Sequence, residues 1–148
     1  MSYLHTQKAP SSVMYIGGAL MGVIVVGSLF SGRTGSLAVS ILLAVIFVIA
    51  TSVFGRLTVE VDDTALQASF GWGWPRKRLE LSTASAARIV RNRWWYGFGI
   101  RLIPHGSLWN VWGLDAVELD LATGKVLRIG TDEPEALLAA LARIVPRG

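Results

Sequence analysis

VMYIGGALMGVIVVGSLF (residues 13–30) and LAVSILLAVIFVIATSVF (residues 37–54) decide how this chain must fold. No charged side chain occurs in residues 9–32 or 34–55, and Arg33 stands alone between the two runs. At about 1.5 Å per residue each run makes a helix of roughly 27 Å, close to the thickness of a bilayer's hydrocarbon core. Both can span, and the short link SGRTG (31–35) forces them to run antiparallel as a hairpin. A cleaved signal peptide would want a basic start, a shorter apolar run and a small-residue cleavage site, and Phe30-Ser31-Gly32-Arg33 fits that poorly. Two buried core helices would need more soluble chain to cover them than 148 residues leave.

Composition agrees. Hydrophobic residues make up 52% of the chain and charged residues 16%, against roughly 25% charged in soluble domains. The absence of cysteine excludes a disulfide framework, a thiolate metal site and a cysteine nucleophile. The net charge of +4 is unevenly spread, with bases concentrated in 56–101 and acids after Asp115. Lys8, Arg56, Arg76, Lys77 and Arg78 flank the hairpin while its loop holds only Arg33, so the positive-inside rule expects both termini in the cytoplasm. Gly18 with Gly22, and Ser40 with Ala44, give small-residue spacings that let the two helices approach closely. Generic packing explains them better than a dimer interface, and a homo-oligomer stays open.

From Arg56 the period changes to two. Leu57, Val59 and Val61 alternate with Arg56, Thr58, Glu60 and Asp62, the signature of a half-buried strand. Asp62-Asp63 makes a turn, and Leu66, Ala68 and Phe70 continue the inward face. Further strands are expected at 76–81, 86–91, 98–103, 108–112, 116–121 and 126–129, a spacing that points to an antiparallel sandwich or open barrel. The period then becomes helical: Asp132 is expected to cap a helix with Glu135 three residues on, Pro134 in its first turn, and Leu137, Leu138, Leu141, Ile144 and Val145 on one stripe. The chain divides into an N-terminal cytoplasmic tail (1–12), a two-helix transmembrane hairpin (13–54) and one soluble domain (55–148).

Residues 94–138 carry a resemblance, through Trp94-Trp95-Tyr96-Gly97-Phe98-Gly99-Ile100-Arg101, Gly113-Leu114-Asp115-Ala116-Val117-Glu118-Leu119 and Arg128-Ile129-Gly130-Thr131-Asp132-Glu133-Pro134. The layout of short antiparallel strands followed by one amphipathic helix resembles the pleckstrin-homology-like domains of small bacterial membrane proteins. That resemblance implies a mainly β, α+β domain closed by one C-terminal helix, placed at the bacterial inner membrane and serving as a binding or scaffolding module. Lipid-binding members keep basic residues at the first hairpin turn, where this chain has Asp62-Asp63-Thr64, so phosphoinositide recognition is not expected.

Candidate docking residues follow from side-chain type. Trp72, Trp74, Trp94, Trp95 and Tyr96 suit the headgroup region, and the alternative for these loop aromatics is a place in the core. Trp109 and Trp112 belong in the core. Arg76, Lys77, Arg78, Arg91 and Arg93 can add about 1 kcal/mol each near an anionic leaflet. Together these residues form the expected surface for another membrane protein or, alternatively, for anionic lipid headgroups. No nucleic-acid reading motif is present. No catalytic residue, metal site or cofactor is expected: His5 and His105 are isolated in sequence, and Gly97-Phe98-Gly99 lacks the third glycine of a nucleotide fingerprint.

Overall fold

A computed structural model describes residues 3–32 and 34–148; Arg33, the expected basic residue of the hairpin loop, lies outside the described residues. Helices α1 (Ser11–Phe30) and α2 (Thr34–Phe54) form the hairpin. Their apolar windows have mean hydropathies of 2.1 and 2.8, and only 6% of each is buried. A soluble core helix of that composition would be covered by protein; these two are bare. They touch where the Phe47 ring lies against the backbone of Gly17, where any side chain would collide with it. Ser28 and Ser40 are buried, each returning its hydroxyl proton to a carbonyl of its own helix, Val25 O at 2.7 Å and Ser36 O at 2.8 Å.

Of the expected N-terminal tail (1–12), the described residues 3–12 are not a tail. Tyr3–Lys8 is a strand, β1, paired antiparallel with β2 (Arg56–Val61) from Tyr3↔Val61 to Lys8↔Arg56. The Ala9 N–H continues the ladder to Gly55 O at 2.9 Å. In β1 the more covered positions are Tyr3, His5 and Gln7, while Leu4 is 67% exposed, so the alternation is there but its inward members are polar or aromatic. The hairpin is thus an insertion between two neighbouring strands of one sheet.

That sheet continues through β3 (Ala65–Phe70) to β4 (Arg76–Glu80) in the order β1-β2-β3-β4. Its first turn is closed by Asp62, whose Oδ1 accepts hydrogen bonds from the Thr64 N–H, the Thr64 hydroxyl and the Ala65 N–H, each at 2.7 Å. A second sheet has the order β5-β8-β9-β7-β6, formed by β5 (Ala84–Arg91), β6 (Gly99–Ile103), β7 (Gly106–Asn110), β8 (Asp115–Leu121) and β9 (Val126–Gly130). Every pairing in both sheets is antiparallel except β7 with β9. The expectation of purely antiparallel strands is corrected at that pair, and Gly106 permits it: a side chain there would run into the Val126 carbonyl opposite.

The inner faces meet in one core. Leu57, Val59, Leu66 and Phe70 pack against Trp109, Val117, Leu119, Leu127 and Ile129. Phe70 stacks on Trp109 with ring centroids 5.5 Å apart, and full burial of such a side chain contributes about 1.5–3 kcal/mol. Helix α3 (Pro134–Leu141) closes the β5–β8 end with Leu137 and Leu141, and Val145 follows it into the core. Ile144, expected on the same stripe, is 41% exposed because the helix has already ended. Asp132 does not cap α3; the Glu133 N–H donates to Thr131 Oγ1 at 3.0 Å, and Asp132 instead meets His5 Nε2 at 2.6 Å. An acidic group that can pair with a histidine on β1 is drawn away from the helix end.

Candidate functional site: the aromatic rim at the hairpin base

Two loops flank the point where the hairpin joins the sheets. On one side the β3–β4 turn (71–75) rests on the end of α2: a Cβ on Gly71, whose φ is +48°, would come within 2.6 Å of Val53 O, so only glycine fits this approach. From it Trp72 and Trp74 project 81% and 74% exposed. Trp72 shares a hollow of about 350 Å³ with Lys8, Ser11, Ser52 and Arg56. On the other side the segment after β5 bends back over the hairpin. Phe98 stacks on Trp112 at 4.8 Å, and the two, with Ile100 and Arg101, face Val13, Met14, Phe47 and Phe54 across an apolar cleft of about 490 Å³.

The second loop is held by charge. In register across β5, β8 and β9 stand Arg88, Glu118 and Arg128. Glu118 is buried and receives hydrogen bonds from both guanidinium groups, while Arg88 also donates to Asp120 Oδ2 at 2.5 Å. The bond to Asp120 and the two acids hold the Arg88 guanidinium above its ordinary pKa. Arg128 reaches onward to Asn92 Oδ1 at 3.3 Å and lies 5.9 Å from the centroid of the Tyr96 ring. Upon this support the turn 94–96 carries Trp94 edge-on to Trp95 at 5.7 Å, with Arg93 5.1 Å over the Trp95 ring. Trp94 and Trp95 are 78% and 57% exposed.

The expected docking residues therefore do not form one surface. Trp72 and Trp74 flank the hairpin base on one side, and Arg93, Trp94, Trp95 and Tyr96 lie in the loop that leads to the cleft on the other. Arg91 is exposed, 3.8 Å from Asp115. Arg76, Lys77 and Arg78 do not act as one patch, because strand β4 alternates: Arg78 pairs with Glu80 at 3.2 Å, whereas Lys77 shares the inward face with Leu79. Trp109 is a core residue and Trp112 is half-buried.

In the hairpin, Ser40 is buried and Ala44 half-buried, but Gly18 and Gly22 line a groove of about 590 Å³ where an added Cβ would meet nothing within 4 Å. The close approach uses Gly17 instead. Sequence reading grouped Arg88 with the basic docking residues and did not connect it to Glu118 and Arg128; the signal was a run of small and aliphatic residues interrupted by a charge near the middle of each of three strands.

The chain matches no protein-family model and no curated protein.

Proposed function

We propose that this chain is a membrane-anchored, non-catalytic interaction module. In this reading α1 and α2 cross the bacterial inner membrane, both ends of the hairpin lie on the cytoplasmic face, and a pleckstrin-homology-like domain built from β1–β9 and α3 is held there to bind another membrane protein. The observation that carries it is the β1–β2 ladder, which brings Lys8 beside Arg56. Two strands hydrogen-bonded up to the helix ends cannot emerge on opposite sides of a bilayer. Cleavage after the first helix would carry β1 away from its sheet, which speaks against a removable leader. The near-complete exposure of both apolar helices speaks against a soluble core.

The test is photo-crosslinking in cells from benzoylphenylalanine at position 95, with identification of the adduct. A reproducible adduct with one membrane protein supports the module; recovery of the chain alone, in a membrane fraction that retains it, counts against partner binding.

A second reading is anionic-lipid sensing, favoured by Trp72 sharing its hollow with Lys8 and Arg56 beside the hairpin. The full chain in nanodiscs would then show Trp emission that shifts between phosphatidylglycerol and phosphatidylcholine and reverts at high salt, where charge is screened over a few ångströms. Identical spectra in the two lipids remove this reading.

A further inference from the structure

The free edges of β4 and β6 border a slot of about 700 Å³ that also reaches the 121–127 turn. The edge of β5, by contrast, is covered by the chain's own terminus: the Ala87 N–H donates to Pro146 O at 2.8 Å and the Gly148 N–H to Ala87 O at 3.0 Å.

Register shows what the slot lacks. Leu102 lies opposite Ser107 and Ile100 opposite the core residue Trp109, so Leu102 is on the inner face of its sheet, yet it is 91% exposed. Lys77 lies opposite buried Ala68, on the inner face of the other sheet, and it too is exposed. Two inward-facing residues on facing edges thus have no cover from the opposite sheet. Neither Lys77 nor Lys125 at the slot forms an ion pair among the described residues, and the one acid lining it, Glu80, is engaged by Arg78.

The geometry points to a strand-addition site: an extended segment of the partner membrane protein, in which one apolar residue is flanked two positions away on either side by acidic ones so that all three share a face, pairs with the free edge of β6. On the face turned into the slot its apolar side chain covers Leu102, and its carboxylates meet Lys77 and Lys125. An open edge bearing an exposed leucine is a template for such pairing. A second copy of this chain is a poor occupant, because its own β6 brings Arg101 and no acid to a slot that is already basic. Position favours a membrane protein: β6 starts at the apolar cleft beside the hairpin and ends at the slot, so a segment leaving the bilayer meets the edge directly.

This inference rests on the partner-binding reading and names the chemistry of its site. The test uses the full chain in nanodiscs and a fluorescein-labelled peptide, acetyl-Thr-Glu-Thr-Val-Thr-Glu-Thr-amide, whose two Glu and central Val share one face, followed by anisotropy. The expected result is saturable binding that weakens about tenfold or more when both Glu become Lys and disappears when the central Val becomes Pro, which cannot join a ladder. The double variant Lys77→Glu/Lys125→Glu, two exposed sites whose fold is checked by circular dichroism, is expected to reverse the preference toward the Lys peptide. No binding by either peptide, equal binding by both, or a preference unmoved by the charge reversal would overturn the site. Failure here with a protein adduct still formed from position 95 removes the slot and leaves the anchored module; failure of the adduct removes the module itself.

Discussion

Lys8 and Arg56 are cross-strand neighbours although the whole hairpin separates them in sequence. Lys8 lies three positions before α1 and Arg56 two positions after α2, so two cations are held side by side where the sheet meets the hairpin. Like charges directly opposite on a ladder are destabilising, and the arrangement makes sense where an anionic surface lies against both. We expect Lys8→Gln or Arg56→Gln to leave or raise stability of the full chain in neutral detergent and to lower it in phosphatidylglycerol nanodiscs. Thermal unfolding in the two media measures this, and an equal effect in both contradicts it.

The hairpin makes a sharp distinction among its glycines. Gly17→Leu drives a side chain into the Phe47 ring and is expected to cost about 1–3 kcal/mol through overpacking. Gly18→Leu and Gly22→Leu enter open space and should leave the monomer's stability unchanged. Unfolding of the three variants in detergent checks the ranking, which fails if Gly18→Leu is as harmful as Gly17→Leu.

Glu118 is the hub beneath the aromatic loop. Glu118→Gln keeps its shape but leaves Arg88 and Arg128 without their shared carboxylate. Because those two side chains are 42% and 21% exposed, the cost is discounted from the buried-pair range to about 1–3 kcal/mol. Denaturant titration gives the number. Loss of the Trp94–Trp95 exciton signal in near-ultraviolet circular dichroism would report the loop coming loose.

The tryptophans separate by position. Trp109→Ala removes a buried ring stacked on Phe70 and is expected to cost about 3–5 kcal/mol, whereas Trp72→Ala and Trp94→Ala should stay within about 0.5 kcal/mol in detergent. Chemical denaturation of the three variants checks this, and a large loss at Trp72 would place that ring inside the protein.

Acid should act through the first turn. Asp62 has its carboxyl lowered from the ordinary value of 3.8, first by the Thr64 hydroxyl and then by the Thr64 and Ala65 N–H groups. A depressed carboxyl contributes stability that is present above the unfolded value and is lost as pH falls through the folded one. Asp62→Asn keeps an acceptor for the turn but does not titrate. The native chain should therefore lose more stability than this variant as pH drops below about 4, and parallel pH profiles would contradict the assignment.

Much of this fold is visible in the sequence. Most of strands β2 to β9 announce themselves through aliphatic residues on the inward face and turn residues nearby; β4, with Lys77 and Leu79 inward, and β7, with Ser107 and Trp109 inward, are read from spacing and side-chain type instead. Strand β1 hides, since Tyr3, His5 and Gln7 do not read as an apolar face and its partner lies beyond the hairpin. The β7–β9 parallel pair is a property of long-range order that no local period encodes. Spacing alone marked Gly18 and Gly22 as a pair but could not tell which side of α1 turns toward α2. Asp132 was ambiguous for a different reason: a cap and an ion pair compete for one carboxylate, and the competitor, His5, belongs to the strand that sequence concealed. Of the rim, the aromatic and basic residue types were legible and their division between separate places was not.

The most direct test of the anchor uses the absence of cysteine. Single cysteines at Leu4, Ser31 and Asp63 are introduced one at a time and challenged with a membrane-impermeant maleimide in intact spheroplasts and again after permeabilisation. The account predicts that Ser31→Cys reacts from outside at once, and that Leu4→Cys and Asp63→Cys react only after permeabilisation. Labelling of Leu4→Cys and Asp63→Cys from opposite sides, or release of the intact chain by alkaline carbonate, would contradict it.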